Sequence, residues 1–439
     1  MFKIFANAWR VEDIRKKLLF IFLLLVIYRF GSAIPLPGID LNMLYEVRYG
    51  AMGWDPVMTA FAMISGGGVG SVFVMGIAPY ITSSIIMQLL TYAIPQLGQM
   101  QKEGEDGRKK IQQITRYLAV GLAALQASAM VFSYTNWPPG MGGFNLFREG
   151  HQNMLTYIAA VIAMMTGTIF IMWLAELLTE KGIGNGASFL IFANILSQLP
   201  AGVMALWVMI VDEHGGVVLS GIGLVLILLV VFAAIIAFVV MVHEGERRIP
   251  VQYSRKAAGG GRSAYGNHNS YIPLKVNIAG VLAIIFAMSF LQFPAQIAQF
   301  FPNNATLQSV TSVLDWNHWF GAILYVIFIF MFTHFYTSFA INPIEMAENM
   351  KKNGGFIPGI RPGKPTSDFI QVTVNKLSWI GAVFYSIIAI TPILLARIPA
   401  FPDMGFGGTS LLIVTGVALE FVKQLESQLL MRHYKGFLD

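Results

Sequence analysis

The chain has 439 residues, 56% of them hydrophobic and only 12% charged, with a mean hydropathy of +0.64 and a net charge of +6. That balance excludes a soluble globular protein and defines an integral membrane protein. The absence of cysteine excludes disulfides, thiol catalysis and thiolate metal ligation.

Residues 1–17 place basic side chains ahead of an apolar run with no small-residue cleavage pattern after it, and read as a retained amphipathic cytoplasmic segment. Ten apolar runs of bilayer length follow. They are approximately Leu18 to Ile34, Ser71 to Ile94, Tyr117 to Tyr134, Met154 to Leu178, Ala187 to Ile210, Val217 to Val242, Val276 to Phe293, Trp319 to Ala340, Leu377 to Leu395 and Ser410 to Leu430. The first five fall within 18–210, the second five within 217–430, and 431–439 is a cytoplasmic tail.

The second run is preceded by something unusual. The 45 residues from Val57 to Gln101 carry no charge, yet Gly66, Gly67, Gly68 and Gly70 interrupt them early. A helix rises about 1.5 Å per residue and the hydrocarbon core is roughly 30 Å thick, so Val57 to Ser65 cannot cross and Ser71 to Ile94 can. The chain is expected to enter the bilayer, stop, reverse and then cross. Non-helical backbone at that depth must be buried in protein or line a water-filled cavity, because lipid cannot satisfy its N–H and C=O groups.

Orientation follows from the basic residues. With the N-terminus inside, 25 of the 29 Lys and Arg fall on the cytoplasmic side, and only Arg29, Arg48, Arg148 and Arg397 do not. Ten spans with both termini cytoplasmic satisfy this partition. Five spans per half make the second half enter opposite to the first, the arithmetic of an inverted repeat with a central site.

Two cytoplasmic loops, 243–275 and 341–376, are long, basic and marked by turn signals. Loops of that length are often functional, and a docking site for a cytoplasmic partner is expected there. Arg361, between Pro358 and Pro362, should sit on a stiff exposed tip. Charges inside the spans are few: Glu176, and Glu420 with Lys423 as an i,i+3 pair, all toward inner ends. Ion-coupled carriers keep charges at mid-membrane, so this scarcity, with no second broken span in the later half, disfavours a secondary transporter, the rival reading. Catalytic motifs fail: Arg247 occupies the position where His243-Glu244 would need a second zinc ligand, and Pro365 replaces the Ser or Thr of a phosphate loop.

The runs GIAPYITSSIIMQLL (76–90), EKGIGNGAS (180–188), RRIPVQY (247–253), PLKVNIAGV (273–281), FIPGIRPG (356–363) and FGGTSLLIV (406–414) closely resemble the SecY family, central subunits of the bacterial protein-conducting channel. The resemblance spans nearly the whole chain, with six motifs in order. It implies an all-α polytopic membrane protein of ten transmembrane helices in two inverted five-helix halves with a re-entrant plug helix. The plug falls at about 57–70, through Ala60, Phe61, Ile64, Gly66, Gly67, Gly68 and Gly70; a static re-entrant loop is the other reading.

By the same resemblance a pore ring is formed by Ile77, Ile81, Ile191, Ile285 and Ile413, with Ala187 standing where the family often has an aliphatic residue. Stiff branched side chains can close around an extended polypeptide, and an apolar constriction opposes ions by dewetting. A lateral gate between the second and third spans and the seventh and eighth would carry Thr82, Gln88, Thr91 and Asn277. Docking would use Arg247, Arg248, Arg255, Lys256 and Arg361. Implied partners are the SecE and SecG subunits, the SecA ATPase, the ribosome through its rRNA phosphates, signal sequences, unfolded preproteins and the lipid bilayer. No cofactor is implied, and the localisation is the bacterial plasma membrane.

Overall fold

The computed structural model describes residues 7–40, 70–135, 145–210, 219–253, 270–276, 278–298, 300–301, 304–315, 318–396 and 408–435. Asn277, Arg255, Lys256 and the plug positions Ala60, Phe61, Ile64, Gly66, Gly67 and Gly68 lie outside these residues.

In the first half the helices are α1 (Glu12–Ser32), α2 (Ala78–Ala93), α3 (Pro95–Lys102), α4 (Glu105–Thr135), α5 (Met154–Lys181) and α6 (Gly186–Ile210). The second half contributes α7 (Leu219–Glu244), α8 (Leu282–Ala298), α9 (Ala305–Leu314), α10 (Trp319–Ala340), α11 (Pro343–Lys352), α12 (Lys364–Ala396) and α13 (Gly408–Lys435). Leaving out the short α3, α9 and α11, these helices coincide with the ten apolar runs. Among the described residues, five helical stretches are long and apolar enough to cross a membrane unaided, within α4, α5, α7, α10 with α11, and α12.

Two spans are shorter than expected, and for related reasons. The run expected from Ser71 becomes helical only at Ala78, because Gly76 has φ +53° and Pro79 sits at the first turn, where its missing N–H costs nothing. The run expected from Val276 becomes helical only at Leu282, after Gly280 with φ +63°. The later half therefore does carry a second break, contrary to the sequence reading. At about 1.5 Å per residue α2 covers roughly 24 Å and α8 roughly 26 Å. Each break lies just before the N-terminus of its helix.

The described parts of the two long loops are more ordered than turn signals suggested. They hold a three-stranded sheet, β2-β1-β3, from β1 (Glu246–Tyr253), β2 (Ser270–Lys275) and β3 (Gly355–Phe356). Arg247 pairs Leu274 and Ile249 pairs Ile272 on one side, and Gln252 pairs Phe356 on the other. Alternation turns Ile249 and Val251 inward onto Leu274, Met350, Ile357, Ile370 and Val374. Helix α12 begins at Lys364, well before Leu377, and at roughly 50 Å it outreaches the bilayer to supply that core. Both loops thus share one hydrophobic centre.

Arg29, counted from the sequence with the charges off the inner side, lies in the last turn of α1. Its Nη2 donates to the Ala193 carbonyl at 2.7 Å, and Tyr28 donates to Asn194 Oδ1 at 2.6 Å, tying α1 to α6.

Candidate functional site

The turn between α5 and α6 shows how glycines place a functional side chain. Gly184 adopts φ +94°, and Gly186 lies so close to the Ala175 carbonyl that a Cβ there would collide. Thr179 Oγ1 accepts from the Gly186 N–H at 2.9 Å, and Asn185 Oδ1 from the Ala187 N–H at 3.0 Å, closing the start of α6. Helix α6 is thereby held against α5, with Ile191 on its second turn.

Ile191 is part of the floor of an open vestibule. Two adjoining cavities, of about 920 and about 660 Å³, share Asn185, Ser188, Ile191, Leu282, Ile285 and Gln424. Ile81 joins Ile191 and Ile285 in the first, and Ile413 joins them in the second. Four of the expected ring residues, from α2, α6, α8 and α13, are thus brought to one place. Ile77 differs: it caps α2 and is buried in the same core, but it lines neither cavity. Ala187 lines the first.

The vestibule wall is polar where the floor is apolar. Arg116 Nε bonds Glu176 Oε1 at 2.6 Å, and Gln112 also donates to that oxygen at 3.3 Å, so Glu176 is engaged between α4 and α5 rather than snorkelling alone. Glu420 accepts from Gln424 at 3.3 Å, and the expected pair with Lys423 is not among the ion pairs of the described residues.

Between α2 with α4 and α8 with α10 runs a seam. Of the expected polar residues, Thr82, Gln88 and Thr91 make no hydrogen bond across it among the described residues. Thr82 donates to the Ala78 carbonyl, Thr91 to the Met87 carbonyl and Gln88 to Ser84, all within α2. A helical hydroxyl can reach the carbonyl one turn back, as Thr82 and Thr91 do, and then needs no partner across an interface. The bond that does cross joins Gln126 Nε2 of α4 to Gln296 Oε1 of α8 at 2.9 Å. Nearer the inner side, the Tyr92 and Phe335 rings meet edge to face at 5.6 Å, linking α2 to α10. A census of amides inside the apolar runs would have drawn attention to Gln126 and Gln296, since such groups are costly in a membrane unless paired.

Gly70 is described among the plug candidates, with φ +76°. The chain after it is firmly held. Leu36 N–H donates to the Gly70 carbonyl at 2.8 Å, and Val72 N–H to the Ile34 carbonyl at 3.0 Å. Phe73 lies between Tyr28 and Phe170, each ring centroid 5.9 Å away.

On the sheet platform Arg247, Arg248 and Arg361 are all exposed. Arg248 Nε bonds Glu246 at 2.6 Å, which raises its already high pKa, and its guanidinium lies 4.9 Å from the Tyr271 ring centroid. Arg361 is held between Gly359 and Gly363, with φ +83° and +104°, and its carbonyl accepts from Thr366 Oγ1 at 2.9 Å. The exposed tip is bounded by left-handed glycines as well as by prolines.

Residues 71–422 match the SecY family model. The protein translocase subunit SecY of Streptomyces galbus is 41% identical over 456 aligned positions, covering 100% of both chains. The chain belongs to the SecY family. It is therefore a multi-pass membrane protein and a translocase component, not an enzyme. A solved protein-conducting channel superposes with TM-score 0.64 at 19% identity, over 93% of this chain and 90% of that one. Sec61 from the canine ribosome-channel complex gives 0.62 at 17%, over 93% and 90%. The architecture of the SecY and Sec61 channels is the fold of this chain's described residues.

Proposed function

We propose that this chain conducts unfolded secretory polypeptides across the bacterial plasma membrane and releases apolar segments sideways into lipid. The observation that carries this is the convergence of Ile81, Ile191, Ile285 and Ile413 from four helices beneath a polar vestibule. A polypeptide entering from the cytoplasm meets a wet funnel and then a constriction of branched side chains that opposes ions. Ile77, one turn before Ile81 and in the same core, is the fifth member of the ring in this reading. The glycine-broken segment around 57–70 is the plug, and Gly70 marks where it joins fixed structure. The seam bridged by Gln126 and Gln296 is the lateral gate. One interhelical hydrogen bond is worth on the order of 1 kcal/mol in a membrane, so an apolar signal sequence can displace it.

The sheet platform is the docking surface for SecA and for ribosomal RNA phosphates, with Arg361 and Arg247 as its leading cations and Arg248, Arg255 and Lys256 beside them. SecE and SecG complete the complex, and both termini are cytoplasmic. Reconstitution of the complex with SecA tests this reading: uptake of a secretory precursor is expected, and uptake of a small solute instead, as by a secondary transporter, would overturn it.

Replacing the ring isoleucines with Gly is expected to raise ion leak in proteoliposomes; unchanged conductance across several such variants would overturn the ring. Arg361→Glu is expected to slow precursor transport at least tenfold with the complex still folded, and normal transport would count against the docking role. Cysteines at Ala60 and in an adjoining outer segment should change their crosslinking when substrate is added, whereas a constant pattern would mean a static loop.

A further inference from the structure

Between α8 and α10 the chain forms α9, a helix of 10 residues that carries no charge and has no buried side chain. It starts cleanly, because Asn304 Oδ1 accepts from the Thr306 and Leu307 N–H groups at 3.1 and 3.3 Å. A cap alone does not hold it, since an isolated helix shorter than about 12 residues is marginal in water and depends on covering an amphipathic face.

The sequence of α9 supplies such a face. At about 100° per residue Leu307, Val310, Val313 and Leu314, with Thr306 among them, fall in one arc, and Gln308, Ser309, Thr311 and Ser312 fall in the opposite one. The helix packs on α8 and α10, yet this contact leaves Leu307 and Leu314 only half-buried and Val310 and Val313 exposed. One edge of the apolar arc is therefore open.

The flanking residues say what lies against that edge. Since α8 and α10 are consecutive spans, the end of one and the start of the other emerge at the same face of the membrane. Phe300 and Phe301, just past α8, and Trp319 and Phe320, at the start of α10, are all exposed aromatic side chains. Exposed rings at span ends mark the boundary between hydrocarbon and water. Along the spans from these rings the exposed side chains include Ile297 of α8 and Ile323 of α10, as a lipid-facing surface requires.

We propose that α9 lies in the plane of the bilayer at this boundary, with Val310 and Val313 seated among the lipid glycerol and upper acyl groups and its hydroxyl-rich arc in water. Lipid is the occupant because the open edge sits between the two exposed aromatic pairs and continues the exposed apolar sides of α8 and α10. With no Lys or Arg in α9, this seating rests on apolar burial and not on anionic headgroups.

The chain has no cysteine, so single probes carry no background. The translocase complex bearing Val310→Cys, Val313→Cys, Gln308→Cys or Ser312→Cys, all exposed positions outside the core, is labelled with the fluorophore NBD and placed in phosphatidylcholine nanodiscs. Expected is blue-shifted emission at positions 310 and 313, with quenching by a nitroxide near the lipid headgroup about twofold or more stronger than by one deep in the acyl chain. Positions 308 and 312 should instead be quenched by aqueous iodide, and added phosphatidylglycerol should change none of this. Equal iodide access at all four positions would overturn the proposal. Protection of 310 and 313 from both iodide and lipid nitroxide would mean that a protein subunit or a second copy covers the face, and would overturn it too. Stronger quenching by the deep nitroxide, or seating only with phosphatidylglycerol present, would likewise contradict it.

Discussion

The two halves each begin their second span with a break, and the breaks are held very differently. The stretch 70–77 leading into α2 is clamped: two backbone hydrogen bonds join it to Ile34 and Leu36, Phe73 is inserted between α1 and α5, and Gly31 and Gly167 leave no room for a Cβ against Phe73 and Val72. Among the described residues, the stretch leading into α8 has one such backbone bond, from Val276 to Gly245, and open space at Gly280. The same device, a left-handed glycine at the start of a shortened helix, therefore serves two ends. On the α2 side it fixes a floor residue, Ile81, and on the α8 side it leaves a seam helix able to shift.

Substitutions can break this contrast. Gly167→Val should have the largest effect, because its Cβ would collide with the Val72 carbonyl; failure to recover an assembled complex is the expected outcome. Phe73→Ala should cost about 3–5 kcal/mol by leaving a cavity between two rings, read as a lowered melting temperature of the complex. Gly280→Ala meets no neighbour and suffers only its positive φ, about 1–2 kcal/mol. If Gly280→Ala proved as damaging as Phe73→Ala, the claimed looseness of the second lead-in would be wrong. Smallest of all, Gln126→Leu should cost or gain about 1 kcal/mol and raise seam opening several-fold, measured by pulsed EPR across the seam.

Much of this fold was legible because a bilayer imposes simple rules. Ten apolar runs and the Lys and Arg partition follow from thickness and charge, without knowledge of any contact. What escaped depends on partners distant in sequence. Nothing in the α4 sequence alone reveals that Gln126 meets a glutamine 170 positions away, whereas Thr82 and Thr91 looked equally suitable and satisfy themselves locally. The break before α8 escaped because a single Gly280 in an apolar run does not announce a left-handed turn as four clustered glycines do. The sheet escaped because Pro250 and the basic pair Arg247-Arg248 interrupt the alternation of β1, and because its partner β3 lies about a hundred residues on. The ring isoleucines could not have been picked from an apolar background by pattern alone; six family motifs supplied them, and the vestibule then gathered four.

The central claim is that a polypeptide passes through this aliphatic floor. A photoreactive amino acid placed at Ile81, Ile191, Ile285 or Ile413 should crosslink a precursor stalled in transit, and one at the lipid-exposed Leu229 should not. Equal capture at all five positions, or none at the floor, would contradict the account.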